Sequence, residues 1–121
     1  MDDKHVNILI VGAGLSGIGA AYHLNKECPN KNYLILESRD QLGGTWDLFK
    51  YPGIRSDSDM CTMGFRFKPW QGEKLVADGG SILDYLHEIA DENKIKEKIQ
   101  YHSHVESVSW SSDIAQWSVI Y

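Results

Sequence analysis

Apolar positions recur along the chain with two different periods. Residues 6–11 (Val-Asn-Ile-Leu-Ile-Val) form a β-branched, nearly unbroken apolar run and predict a strand. Ile18, Ala21, Tyr22 and Leu24 keep helical spacing and predict an amphipathic helix over about 16–26, stopped by Pro29-Asn30. Residues 33–37 predict a second strand. Ser81, with Asp84 three residues on, has the pattern of a capping box. It opens a helix in which Ile82, Leu83, Leu86, Ile89 and Ala90 hold the helical period to about Asn93. Residues 99–102 predict a third strand. Residues 105–110 then alternate, and Trp117, Val119 and Tyr121 alternate again after the turn Ser111-Ser112-Asp113, which predicts an antiparallel hairpin. Strands alternating with helices give an α/β class with a parallel sheet, to which the hairpin is added.

Residues 38–78 break this regularity. They are punctuated by Gly43-Gly44, Pro52-Gly53, Lys68-Pro69 and Gly72, and no element is predicted there. The segment nevertheless carries Trp46, Phe49, Tyr51, Phe65, Phe67 and Trp70, too much apolar surface for a disordered stretch. It is expected to fold over something, as long functional loops do.

With 121 residues, the chain makes one domain at most. The formal net charge of −5, with no basic patch, argues against a nucleic-acid partner. Two cysteines, Cys28 and Cys61, without short spacing fit a reduced, cytoplasmic setting and provide no C-x-x-C redox centre. No stretch reaches the length of a transmembrane helix. His102 and His104 are two apart on the expected third strand, but no further ligand residues accompany them, so no metal is expected.

The chemistry lies where the first strand meets the first helix. The sequence there is Val11-Gly12-Ala13-Gly14-Leu15-Ser16-Gly17, a G-x-G-x-x-G between strand and helix. Gly12 permits a tight turn, Gly14 lets a pyrophosphate approach the backbone, and Gly17 lets helix and strand pack closely. The helix N-terminus adds free N–H groups and a partial positive charge. Glu37 ends the second strand twenty residues after Gly17, the spacing of a carboxylate that accepts from ribose hydroxyls. This pattern is the Rossmann-like dinucleotide-binding fingerprint. A carboxylate at that place suits FAD or NAD and repels a 2′-phosphate. Arg39, two residues on, is read as a surface arginine rather than an offset to that repulsion.

Further along, Gly43-Gly44-Thr45-Trp46 pairs two glycines with an indole, a second close-approach loop that a longer cofactor would use. Arg55 and Asp57, within the run 51–60 in which a turn is followed by a polar cluster, are read either as a pair that orients a flavin edge or nicotinamide amide, or as a surface ion pair. No paired carboxylates and no Ser/His/Asp order point to hydrolysis.

With these residues in place, the chain resembles the class B flavin-dependent monooxygenases, the Baeyer–Villiger and flavin-containing monooxygenases, and within them the ethionamide-activating branch. The resemblance rests on Val11-Gly12-Ala13-Gly14-Leu15-Ser16-Gly17, on Ile35-Leu36-Glu37-Ser38-Arg39, on the run 43–60 and on Gly64-Phe65-Arg66-Phe67-Lys68-Pro69-Trp70. It implies an FAD-binding segment whose cofactor is FAD, with NADPH as co-substrate. It implies that Gly12, Gly14, Ser16 and Gly17 hold the pyrophosphate and that Glu37 holds the adenosine ribose. Val105 would contact adenine through its backbone. Thr45, Trp46, Asp47 and Leu48, beside Gly44, would line the ribityl chain and ring. Asp57 would sit at the flavin in a supporting catalytic role, with Arg55 and Ser56 near the nicotinamide. The implied reaction inserts one oxygen atom into a small-molecule ketone, thioether or amine.

Members of that family are about four times longer. The chain lacks a second G-x-G-x-x-G, the later signature between the domains, and the strand expected beside the first one. It therefore reads as residues 1–121 of an incomplete FAD-binding domain, with a sheet edge open to self-association. Two other readings stay open: a non-catalytic remnant that binds nucleotide weakly or not at all, and the FAD half of another flavoprotein with two dinucleotide-binding domains, such as a disulfide reductase or amine oxidase.

Overall fold

The computed structural model describes residues 3–121. Strands β1 (Ile8–Val11), β2 (Tyr33–Leu36) and β3 (Ile99–Gln100) form one parallel sheet in the order β1-β2-β3. Ile8 pairs with Tyr33 and Val11 with Leu36, while Ile35 pairs with Ile99. Helices α1 (Leu15–Glu27) and α4 (Gly79–Glu92) cover one face of this sheet. The register sends Ile8, Ile10, Tyr33 and Ile35 to that face, where they meet Ile18 and Ala21 of α1 and Tyr85, Leu86, Ile89 and Ala90 of α4. Complete burial of an Ile or Leu side chain here contributes about 1.5–3 kcal/mol each.

Strands β4 (Ser107–Ser111) and β5 (Gln116–Ile120) form a separate antiparallel hairpin with Trp110 opposite Trp117. Alternation places Val108, Trp110, Trp117 and Val119 on one side and four serines with Gln116 and Ile120 on the other. The apolar side looks toward Leu9, Val11, Leu34 and Leu36, the second face of the parallel sheet, across a cleft of about 660 Å³. The expected α/β class, parallel sheet and hairpin are all present.

Several boundaries differ from expectation, each for a local physical reason. α4 starts at Gly79, and its cap is Asp78, not Ser81. The Asp78 carboxylate accepts from the Ser81 backbone N–H at 2.8 Å and from its hydroxyl at 3.0 Å. These bonds, the backbone one first, hold the carboxyl below its ordinary pKa range. β3 ends at Gln100 because His102 has φ of 53°, which turns the chain. His102 and His104 therefore do not share a strand face.

The segment without predicted elements contains two one-turn helices, α2 (Thr45–Leu48) and α3 (Met60–Met63). Single turns carry no periodic signature, so the sequence pattern could not announce them. The aromatic residues beyond α3 do fold over something. Phe67 stacks on Tyr22 of α1 at 3.5 Å between ring centroids, and Phe65 stacks on Phe67 at 4.8 Å. Tyr85 pins this strap to α4, accepting from the Phe65 N–H at 2.8 Å and donating to the Lys68 carbonyl at 2.6 Å. Burial pushes the Tyr85 phenol above its ordinary pKa, so it stays a neutral donor. Phe49 and Tyr51, by contrast, remain exposed.

The tightest point of the fold is Gly17. A Cβ there would lie 2.0 Å from the Gly12 carbonyl oxygen, on backbone that cannot yield. Gly17→Ala is expected to destabilise the chain by about 1–3 kcal/mol through overpacking, read as a lower midpoint in urea denaturation.

Candidate dinucleotide site

The glycine turn is held open by backbone geometry. Gly12 has φ of +99°, in the left-handed region that favours glycine, and its N–H donates to the Leu36 carbonyl at 2.8 Å. The chain leaves the turn directly into α1. Gly14 is the N-cap and no side chain caps the helix; no acidic residue occupies its first turn. The first N–H groups of α1 thus meet no capping side chain and no acid of the helix's own first turn.

A second backbone segment closes on this turn. The Gly43 N–H donates to the Ala13 carbonyl at 2.9 Å. Gly44, with φ of 55°, approaches so closely that a Cβ on it would lie 3.1 Å from the Gly14 Cα. Between the two segments runs a groove of about 300 Å³. Val11, Gly12, Gly14, Leu15, Ser16 and Gly17 line one wall, and Gly43, Gly44, Thr45 and Trp46 the other. The two glycine motifs, far apart in sequence, make one site.

Glu37 stands behind the turn. It is buried, only 6 % exposed. Oε1 accepts from the Ala13 N–H at 2.9 Å and Oε2 from the Arg39 N–H at 2.9 Å. Its own backbone bonds both ways, N–H to the Gln100 carbonyl and C=O from the Ser103 N–H, each at 2.9 Å. Oε2 also accepts from the Ser38 hydroxyl at 3.5 Å, while Oε1 retains a lone pair for a further donor. Tyr101 lies close enough to feel this charge: burial first, then Glu37, raise its phenol pKa. The carboxylate is therefore both a support of the turn and an acceptor fixed in place.

The remaining expected site residues separate into groups. Asp47, in α2, is buried and faces Arg39, with Nη2 to Oδ2 at 2.9 Å. Arg39, expected as a surface arginine, is instead only partly exposed and paired with this carboxylate. Leu48 is more than half exposed. Arg55, Ser56 and Asp57 do not line the groove. Arg55 forms an isolated antiparallel bridge with Asp78. Ser56 is buried; its N–H donates to the Ala77 carbonyl at 2.9 Å, and its Oγ accepts from the Ala77 N–H at 3.2 Å. Asp57 is exposed, and among the described residues it forms no ion pair with Arg55. Val105 is half-buried just before β4, outside the groove. Among the described residues no group of three or more His, Cys, Asp and Glu side chains is placed to hold a metal ion. No described helix is long and apolar enough to cross a membrane.

The structure accommodates a dinucleotide at this place on three counts. Two glycines meet where side chains would fill the groove, the helix end is uncapped, and a buried carboxylate flanks the turn. Removing that carboxylate also has a structural cost. Glu37→Ala leaves the buried Ala13 N–H without its acceptor and is expected to destabilise the chain by about 1–3 kcal/mol, measured by urea denaturation without ligand.

Comparisons with known proteins agree with this geometry. The sequence profile of the NAD(P)-binding Rossmann-like domain matches residues 10–69. The chain is 54 % identical over 116 residues to the FAD-containing monooxygenase EthA of Mycolicibacterium smegmatis, covering 96 % of this chain and 24 % of the relative. It is 52 % identical over 117 residues to the probable FAD-binding monooxygenase AlmA of an Acinetobacter species, covering 97 % of this chain and 24 % of AlmA. Among solved structures, an oxidized steroid monooxygenase bound to NADP superposes with a TM-score of 0.87 at 25 % identity, over 94 % of this chain and 22 % of that one. The chain thus spans about a quarter of the length of the curated relatives it matches. On motif, fold and sequence together, the chain is similar to FAD-containing monooxygenases over nearly all of its own length.

Proposed function

We propose that this chain is the FAD-binding segment of an NADPH-dependent monooxygenase that inserts one oxygen atom into a ketone or a soft sulfur or nitrogen centre. The observation that carries this reading is the groove between the N-terminus of α1 and the Gly43–Trp46 wall, where Gly14 and Gly44 meet backbone to backbone. A cofactor with a pyrophosphate in its middle and a large ring at one end suits such a site. The N–H groups at Gly14, Ser16 and Gly17 would receive the pyrophosphate, with Gly12 setting the turn. Glu37 would accept from the adenosine ribose with the lone pair left on Oε1. The Val105 backbone would meet the adenine.

Thr45, Trp46, Asp47 and Leu48 would position the flavin end, with the Trp46 indole providing a flat apolar wall. Asp57 would sit at the flavin in a supporting catalytic role, with Arg55 and Ser56 near the nicotinamide. When bound, FAD supplies the redox chemistry and the activation of oxygen. The protein's part is to bind, orient and shield. The same reading places the protein in the cytoplasm and includes self-association through the edge of β1, which pairs only with β2 among the described residues. A sedimentation coefficient that rises with protein concentration would reveal that association; a constant monomer value would remove it.

Titration of the chain with FAD, FMN and NAD tests the binding reading. FAD is expected to bind at least about tenfold more tightly than FMN, which lacks the adenosine end that Glu37 engages. Gly14→Val is expected to abolish FAD binding while the thermal melt stays cooperative, since a Cβ at Gly14 meets Gly44 Cα only at 3.6 Å. Equal affinities for FMN and FAD, or full affinity in Gly14→Val, would sink the assignment. Absence of any nucleotide binding would favour the non-catalytic remnant instead.

A further inference from the structure

Arg39 is the residue the functional reading leaves unused, and its surroundings give it a task. Its backbone is fixed at both ends: the N–H donates to Glu37 Oε2 at 2.9 Å, and the carbonyl accepts from the His102 N–H at 3.1 Å. From this anchor the side chain reaches Asp47 of α2, with Nη2 to Oδ2 at 2.9 Å. The Asp47 side chain is only 8 % exposed, and its other oxygen lies 3.6 Å from the Nζ of Lys50, a largely exposed group. The Arg39 contact is thus the closer and better shielded of the two.

Asp47 sits directly after the two residues of α2 that line the groove, Thr45 and Trp46, and does not itself line it. A single helical turn has little stability of its own. Its attachment to the glycine turn on the groove side is a backbone bond, Gly43 N–H to the Ala13 carbonyl, and the bare contact of Gly44 with Gly14. α2 also packs against α4, and Trp46 against the core. The Arg39–Asp47 pair adds an ion pair to these attachments. It links the end of β2, which carries Glu37, to the wall that carries Trp46.

We infer that Arg39 is a positioning residue of the cofactor groove: through the buried Asp47 carboxylate it holds the Gly43–Leu48 wall in register with the glycine turn. In calling the groove a cofactor groove, this inference rests on the FAD reading. It also gives Asp47 a role through Arg39 rather than through its carboxylate at the flavin. The pair has one informative imperfection. It is made through one nitrogen, and Arg39 Nη1 is buried without a partner among the described residues. A lysine can make a single N···O contact equally well, so a positioning role tolerates Lys, whereas a direct ligand role for Nη1 does not.

The experiment compares the wild-type chain with Arg39→Lys, Arg39→Met and Asp47→Asn in two measurements. The first is amide hydrogen exchange without FAD. Arg39→Met and Asp47→Asn are expected to speed exchange at residues 43–49 by about tenfold or more and leave α4 unchanged, with Arg39→Lys close to wild type. The second is FAD affinity with the visible circular dichroism of the bound flavin. The same two variants are expected to bind about tenfold more weakly with an altered band, and Arg39→Lys to restore both. Unchanged exchange at 43–49 in Arg39→Met would overturn the inference. So would an Arg39→Lys variant that loses FAD as Arg39→Met does while its exchange stays wild type, since Nη1 would then be a direct ligand. A wild-type chain that binds no FAD would refute the FAD reading, and the exchange data would still decide whether the pair holds the wall.

Discussion

The approach of α1 to the end of β1 is the constraint on which the site depends. Where Gly17 passes the Gly12 carbonyl there is no space for even a methyl group. That closeness determines where the helix begins, and so where its unbonded N–H groups point. It also brings Ile18 and Ala21 down onto the sheet, so core packing and ligand geometry are set by the same contact. A helix displaced by the width of a side chain would still cover the sheet. It would no longer aim its end at the groove.

Glu37 performs a comparable double duty. Its carboxylate caps the Ala13 N–H inside the turn, and its backbone is stitched to the segment around Gln100 and Ser103. The acceptor that a ribose would meet is therefore held from three sides before any ligand arrives. Such preorganisation lowers the ordering cost of binding. The Arg39–Asp47 pair continues the line outward to α2, so that turn, carboxylate and the Gly43–Trp46 wall form one connected frame.

Much of this was legible in the sequence because it repeats or is spaced by rule. The 3.6 and 2 periods gave α1, α4, β1, β2 and the hairpin, and the glycine spacing gave the turn. The length from Gly17 to Glu37 placed the carboxylate. What escaped was set by tertiary contact. Asp78 outcompeted Ser81 as cap because it stands one residue ahead of the helix that actually forms, a choice that composition cannot distinguish. The one-turn helices α2 and α3 exist by leaning on other elements. Arg39 looked like a surface residue because its partner, Asp47, lies eight positions away across an irregular loop. The only available signal was the charge complement of an Arg and an Asp flanking a glycine pair. Arg55, Ser56 and Asp57 are contiguous in sequence, yet the fold points them to different surroundings: a bridge, a buried bond pair and solvent.

The pairing of β2 with β3 has a bearing on folding order. β1, α1 and β2 are neighbours in sequence and close cheaply, whereas β3 returns to β2 from about half the chain away. Loop-closure entropy delays such a contact relative to the local ones. The glycine turn can therefore form early, while the backbone bonds to Gln100 and Ser103 that steady Glu37 come only after α4 and its aromatic strap are in place. A nascent chain would then own the glycine turn before it owns a rigid acceptor beside it, and the finished geometry of the groove would mature late in folding.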